Sequence, residues 1–315
     1  MGGMRGAPSS AHPERGREAA GSKDDPFEGG RLGPYAIQRL LGEGHMGRVY
    51  AARDDRSGEA VALKILSAEH SKDRETVERF ARAAKIAARL AIPHIVAAYE
   101  VGRVGHTRYL AMELMEGGNA SARVRERGPF KEAEALAVAR AMALALEGVE
   151  RARLIHRDIK PENILFTRDD VSKLADLGLA KETTTGGLLK SDLTGTGFIV
   201  GTPQYMAPEQ ALGKRDLDIR TDIYGLGISL FEMVTGRLPF DGVAPIDVLT
   251  RQLHEPLPDP RILAPDLGDG AAAVIQRMTR KTRTDRFQSP GELREAVERL
   301  LEAARGDARD GRGDA

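Results

Sequence analysis

The sequence predicts an α+β protein of two lobes, a small sheet-rich lobe followed by a larger helical one, with a cleft between them. Three observations carry that expectation. Apolar–polar alternation of strand period runs through residues 34–65 and returns at 95–115. Helical texture then takes over, at 131–151, 222–235, 245–253, 270–279 and 290–304. Between the two textures stands LMEGG, whose paired glycines suit a hinge.

Residues 1–33 are rich in Gly, Pro, Ser and mixed charge, and with 304–315 they are expected to be disordered. One domain is expected between them, with a small lobe over 34–115 and a large lobe over 116–303. The stretch LGEGHMGRVY (41–50) sets Gly42, Gly44 and Gly47 in G-x-G-x-x-G spacing. That spacing alone is as common in an ordinary glycine-bearing turn. A dinucleotide site would need a helix directly after it. The residues after the last glycine, RVYAARDDRSGEAVALKIL, read strand, turn, strand instead. The glycines therefore sit in a hairpin, where backbone N–H groups can lie over phosphates because no Cβ holds the ligand off.

In the second of those strands, alternation puts Ala62 and Lys64 on one face and Val61, Leu63 and Ile65 on the other. A strand lysine is usually a solvated edge residue. This one lies one strand from the glycines, beside a small residue that leaves room for a flat base. A P-loop is not present, since Gly213-Lys214 is followed by Arg215. The next element, RFARAAKIAARL (79–90), has a helical apolar stripe of Phe80, Ala83, Ala84, Ala87 and Leu90 and contains no carboxylate.

Farther along come HRDIKPEN (156–163) and ADLG (175–178), joined by ILFTRDDVSKL, which reads strand, turn, strand. A turn centred on Asp169 and Asp170 would bring Asn163 opposite Asp176 at the open end of the hairpin. Two such oxygen-bearing side chains make a magnesium site plausible. Pro161 keeps the loop carrying Asp158 from becoming helical, and Lys160 shares its neighbourhood. Each residue alone would be an ordinary surface charge; all of them in this order are hard to explain that way.

Composition narrows the classes. The 315 residues carry zero net charge, which argues against a nucleic-acid partner. Zero cysteines leave no disulfide, thiolate nucleophile or Cys-ligated metal, and suit a cytoplasmic setting. The longest apolar run, ALAVARAMALALEGV (135–149), is broken by Arg140 and Glu147, so no membrane span is expected. No signal-peptide core precedes it, and the seven histidines show no metal-ligand spacing.

Taken in order, these motifs resemble the protein kinase family over about residues 34–303: Gly42 to Val49, VALK (61–64), HRDIKPEN, DLG in place of the commoner DFG, and Ala207 to Glu209 as APE. PHIV (93–96), GTPQYMAPEQ (201–210) and DIYGLG (222–227) look most like bacterial Ser/Thr kinases of the eukaryotic type. The resemblance implies the two-lobed kinase fold, with ATP and magnesium or manganese as cofactors and protein Ser/Thr hydroxyls as acceptors. It implies that Leu41, Gly42, Glu43, Gly44, His45, Met46, Gly47, Val49 and Ala62 surround the nucleotide. Lys64 would hold the α- and β-phosphates, and Asn163 and Asp176 the metal. Asp158 would orient the acceptor hydroxyl and take its proton, while Lys160 neutralises the γ-phosphate. Met112 would be the gatekeeper, with Glu113 to Met115 offering backbone hydrogen bonds to adenine. Thr202 would help set Ser/Thr preference, Glu209 would pair with Arg286, and Asp222 would brace the catalytic loop.

The same resemblance implies a glutamate in RF-x-x-E-A, where this chain has Ala83. Glu78 is no obvious substitute: five residues along a helix is about 7.5 Å of rise and about 140° of rotation. Two readings stay open. Lys64 finds another anion, Asp176 being nearest, and the enzyme works; or the fold binds ATP as a scaffold with little turnover. Retention of Asp158, Asn163 and Asp176 together favours the first. The polar segment KETTTGGLLKSDLTGTGFIVGTP (181–203) is expected to be mobile. A phosphate on it, which the resemblance puts at Thr194 or Thr196, would add charge able to dock near Arg157. Self-association of two copies would serve autophosphorylation.

Overall fold

The structure is a computed structural model that describes residues 27–44, 47–71, 77–78, 80, 92–176, 181–182, 202–242 and 244–310. His45, Met46, Ala83, Thr194 and Thr196, together with most of the 72–91 stretch and of the 181–203 segment, lie outside the described residues.

The small lobe is a six-stranded antiparallel sheet in the order β1-β2-β3-β4-β6-β5. Its strands are β1 (Arg31–Leu32), β2 (Tyr35–Gly44), β3 (Gly47–Asp54), β4 (Ala60–Leu66), β5 (Ala98–Val104) and β6 (Thr107–Glu113). Alternation decides which face is buried. Val61, Leu63 and Ile65 of β4 pack with Tyr35, Ile37, Tyr50 and Tyr109 in one cluster, which leaves Ala62 and Lys64 on the opposite face. Tyr35 and Tyr109 meet edge to face at 5.4 Å. Their hydroxyls donate to Glu100 on the edge strand β5, at 3.0 and 3.1 Å. Arg56 closes the cluster onto Glu100 at 2.7 Å, and that hydrogen bond holds the Glu100 carboxyl below its ordinary pKa.

The sheet starts earlier than expected. Leu32, buried, pairs with Tyr35 across β1–β2, and Phe27 meets Tyr50 edge-on at 6.0 Å. Two large apolar residues with core partners are enough to order the end of the polar leader, so residues 27–33 are structured.

The large lobe contains seven α-helices among the described residues: α1 (Ala120–Arg127), α2 (Glu132–Arg151), α3 (Pro208–Ala211), α4 (Ile219–Thr235), α5 (Pro245–His254), α6 (Asp269–Met278) and α7 (Pro290–Asp310). Helices α2, α4, α6 and α7 bury their apolar faces in one cluster that includes Met142, Leu146, Ile223, Leu226, Met278 and Leu293. Periodicity does not announce α1, whose sequence ASARVRER is mostly polar. Its ends do: Asn119 caps it by accepting from the Ala122 N–H at 2.7 Å, and Gly128 ends it at φ 82°. The α4 helix begins at Ile219, ahead of its apolar run, because Asp218 accepts from the Arg220 N–H at 3.0 Å. The last helix continues to Asp310, into a tail expected to be disordered from residue 304. EAARGDARD offers good helix formers, and Gly306 costs only about 1 kcal/mol against them. None of the described helices is long and apolar enough to cross a membrane.

Between the lobes, strands β7 (Leu154–Ile155) and β10 (Lys181–Glu182) pair, as do β8 (Ile164–Phe166) and β9 (Ser172–Leu174). The β8–β9 hairpin carries the site, and its register differs from expectation by one residue. The Thr167 N–H bonds to the Val171 carbonyl at 3.0 Å, enclosing a three-residue loop with Asp170 at φ 61°. An odd loop puts Ala175, not Asp176, opposite Asn163, and the Ala175 N–H donates to the Asn163 carbonyl at 2.8 Å. Arg123 of α1 holds the loop, donating to Asp170 at 2.6 Å while its guanidinium lies 3.6 Å from the Phe166 ring centre.

Candidate active site

The catalytic-loop motif is shaped from beneath. Asp222, buried in α4, accepts the backbone N–H of His156 and of Arg157, each at 2.7 Å. Arg157 has φ 69°, a left-handed conformation that residues other than glycine rarely adopt, and these bonds offset its cost. Burial pushes the Asp222 carboxyl above its ordinary pKa, against the pull of His156 and the two amides. The His156 ring is itself fully buried. Its Nε2 donates to the Ala175 carbonyl at 2.9 Å, and its Nδ1 faces the Asp158 N–H at 3.4 Å. One imidazole thus ties both motif loops together.

Pro161 starts a 3₁₀ turn, Pro161–Asn163, that folds Asn163 back on Asp158. The Asn163 Nδ2 donates to the Asp158 carbonyl at 2.7 Å and to its Oδ2 at 3.2 Å. With Nδ2 spent on Asp158, Oδ1 is the face the amide presents elsewhere. Lys160 Nζ lies 2.9 Å from Asp158 Oδ2 and donates to Thr202 Oγ1 at 3.0 Å. Four of the expected residues therefore form one bonded line: Asn163, Asp158, Lys160, Thr202.

Across the cleft, register sets the row of side chains on the open face of the sheet. Val49 lies opposite Lys64 and Ala62 opposite Met112, which places all four on the face of the sheet away from its own core. The glycine hairpin pairs Gly42 with Val49, Glu43 with Arg48 and Gly44 with Gly47, and Leu41 falls at an irregularity in that register. Gly47 has φ 147°, and a Cβ there would collide with the Ile65 carbonyl oxygen, so only glycine fits. The Glu113 N–H is taken by the Ala97 carbonyl at 2.9 Å, which leaves its own carbonyl as the backbone group it can offer elsewhere. Met115 follows it beyond the end of β6.

Lys64 Nζ meets Asp176 Oδ2 at 2.8 Å. The Asp176 side chain, 39% exposed, stands at φ 63°, one residue beyond the hairpin register. Its partial loss of solvent would raise its pKa, but the Lys64 charge and hydrogen bond outweigh that and hold the carboxyl below its ordinary value. The charge of Lys160 acts on Asp176 in the same direction, so the two halves of the site share one electrostatic neighbourhood. The donor set suits a hard divalent cation: the Asn163 amide oxygen and the Asp176 carboxylate are oxygen ligands of the kind magnesium takes alongside phosphate. No group of three or more His, Cys, Asp or Glu side chains arranged to hold a metal ion is present among the described residues.

Below the site, Glu209 of α3 and Arg286 form a buried two-pronged pair at 2.7 and 2.8 Å. Gln210 donates to the Arg157 carbonyl at 3.0 Å, joining this segment to the catalytic loop. Sequence reasoning missed Lys173, whose Nζ donates to Glu113 Oε1 at 2.6 Å and so ties the hinge to β9. The signal was available: Lys173 is the one charged residue between Ser172 and Leu174 in a strand otherwise buried at both neighbours.

Set against known proteins, residues 35–297 match the family model described as protein kinase domain. The chain is 37% identical over 273 residues to serine/threonine-protein kinase PknH of Mycobacterium tuberculosis, covering 87% of this chain and 43% of that protein. It is 36% identical over 277 residues to serine/threonine-protein kinase PknE of Mycobacterium bovis, covering 88% and 48%. With serine/threonine-protein kinase PknD of Mycobacterium tuberculosis it shares 37% over 269 residues, covering 85% and 40%. The chain spans less than half the length of these relatives.

Proposed function

The chain belongs to the protein kinase family, and from that premise we propose that it transfers the γ-phosphate of ATP to serine or threonine hydroxyls of protein substrates. The bonded line Asn163–Asp158–Lys160–Thr202, facing Lys64 and Asp176, is the observation that carries this reading. Phosphoryl transfer asks for positioning and charge neutralisation more than for covalent chemistry. Asp158 receives the acceptor hydroxyl and takes its proton as the new O–P bond forms. The bond between the γ-phosphorus and its bridging oxygen breaks, and ADP leaves. Lys160 neutralises charge on the transferred group, and Thr202 holds that lysine at the side where the peptide enters. Lys64 steadies the remaining phosphates. Asn163 and Asp176 would hold magnesium, which would supply positive charge against the phosphates.

Incubation with magnesium and ATP should place labelled phosphate on serine or threonine of a generic basic protein, and a chelator should stop it. Equal signal with and without chelator would overturn the reading. Autophosphorylation belongs to the same proposal: two copies associate and modify Thr194 or Thr196, and mass spectrometry of the incubated chain should find phosphate there and not only elsewhere.

The missing glutamate, where Ala83 stands, favours a second reading, an ATP-binding scaffold with little turnover. The Lys64–Asp176 pair weighs on the other side: it gives Lys64 an anion through one carboxylate oxygen and leaves a second oxygen that could ligate a cation. Supplying a rival anion with Ala83→Glu is expected to raise the transfer rate about tenfold, which corresponds to about 1.4 kcal/mol of transition-state stabilisation. An unchanged, substantial native rate would mean Asp176 serves Lys64 well enough. Negligible transfer by both forms, with ATP still bound, would favour the scaffold.

A further inference from the structure

The segment Thr202–Met206, between the catalytic loop and α3, is pinned from below by polar groups that the transfer chemistry does not use. Gln252 of α5 is completely buried. Its Nε2 donates to the Gln204 carbonyl at 2.5 Å, and its Oε1 meets the Tyr224 hydroxyl. The orientation is forced. A backbone carbonyl only accepts, so Nε2 must face Gln204 and Oε1 must face Tyr224, whose hydroxyl donates its single proton there. The Tyr224 oxygen can then accept, and Lys281 Nζ donates to it at 3.0 Å. Lys281 Nζ also donates to the Gln252 backbone carbonyl at 2.8 Å and lies 4.5 Å from the Phe240 ring centre. Every link in the chain Lys281–Tyr224–Gln252–Gln204 joins a donor to an acceptor. A buried amide placed between two elements is costly unless satisfied, and here its far end grips the loop rather than another helix.

Two further contacts hold the same segment. Thr202 accepts from Lys160 at 3.0 Å, and the Tyr205 hydroxyl donates to Glu232 at 2.5 Å. Thr202 is the end that touches the catalytic line; Gln204 is the middle, anchored from the core. Alone among the three anchors, Gln252 reaches the loop's backbone from an element outside both the catalytic loop and α4.

We propose that Gln252 is a positioning residue for the protein acceptor, setting the Thr202–Met206 loop whose Thr202 end borders the Asp158–Lys160 pair, with Tyr224 and Lys281 fixing the amide that does so. The inference rests on the kinase reading for the acceptor's identity, while the anchoring itself does not.

The experiment uses the full chain with Gln252→Leu, which keeps bulk and removes both polar ends, and Gln252→His, which keeps one donor and one acceptor. Amide hydrogen exchange reads the anchor without turnover. The Tyr205 and Met206 amides, bonded in the loop to Thr202 and Pro203 carbonyls at 3.1 and 3.4 Å, should exchange about tenfold faster in Gln252→Leu, since an unmet buried carbonyl costs on the order of one such factor or more. Amides of α4 should be unchanged, and Gln252→His should restore most of the protection. In transfer assays with a basic serine peptide, Gln252→Leu should raise the peptide KM about tenfold on the same basis, with the KM for ATP unmoved. Loop exchange equal in native and Gln252→Leu protein would overturn the anchor. Peptide and ATP KM rising together, or a His variant as impaired as Leu while equally folded, would overturn the positioning role. Faster loop exchange with no transfer by the native chain would instead count against the kinase reading and leave the anchor standing.

Discussion

Asp158→Asn is expected to lower phosphoryl transfer by about 10²–10⁴-fold, the range a positioned general base supplies, while ATP binding stays within about twofold of native. The substitution keeps the shape of the side chain. Its oxygen can still accept from Asn163 Nδ2, which bonds the backbone carbonyl of residue 158 as well, so the turn Pro161–Asn163 should hold. The negative charge is lost. An amide cannot take the acceptor's proton, and it turns the ion pair with Lys160 into a contact with a neutral group. Lys160 would then keep its hydrogen bond to Thr202 but lose its counter-charge. The nucleotide side of the cleft does not depend on Asp158: Lys64 and Asp176 hold each other across it. Steady-state transfer of labelled γ-phosphate and a separate ATP titration check both halves. Equal rates for native and Asp158→Asn protein would remove the enzyme reading altogether, whatever the affinity for ATP.

How far the sequence could be read depended on whether a feature was local or long-range. Strand alternation in VALKIL was enough to separate Lys64 from Val61, Leu63 and Ile65, because the side-chain period is a local property of extended backbone. Glycine spacing and the turn after it were enough to place Gly42, Gly44 and Gly47 in a hairpin. Register was not readable to the residue. Whether the loop after Phe166 has two or three members depends on Asp170 adopting φ 61° and on the Thr167–Val171 bond, which composition does not specify. The difference moves Asp176 by one place and so turns it toward Lys64 rather than leaving it opposite Asn163. Long-range polar contacts were legible where the family resemblance names both partners, as for Glu209 and Arg286, or where a charge was left needing one, as for Lys64 and Asp176. Glu113–Lys173 and Gln204–Gln252 join residues 60 and 48 positions apart, and nothing in the intervening sequence marks either pair. The leader and tail depart from expectation for the opposite reason: average composition hides two apolar anchors, Phe27 and Leu32, and a last helix already established before residue 304 that carries on to Asp310.

Arg286→Met should destabilise the large lobe by about 3–5 kcal/mol, the cost of leaving one member of a buried ion pair behind. Arg286 has no exposed surface and Glu209 almost none. The guanidinium also donates to the carbonyls of Arg280, Arg220 and Lys281, at 2.7, 2.9 and 3.0 Å. Methionine fills the volume but satisfies none of them. In the native protein, burial alone would raise the Glu209 carboxyl; the Arg286 hydrogen bonds and charge overcome it and hold the carboxyl below its ordinary 4.5. A folded value below the unfolded one means the pair's stabilisation is complete above about pH 4.5 and fades as acid protonates Glu209. In Arg286→Met the sign reverses, because the buried carboxyl has no cation and prefers its proton. The gap between the two proteins should therefore be widest near neutral pH and narrow as pH falls toward about 4.5. Denaturant midpoints taken across that range measure it, and the double substitution Glu209→Gln with Arg286→Met should recover part of the loss. A gap that stays constant with pH would mean that packing and the three carbonyls, not the charge pair, make Arg286 indispensable.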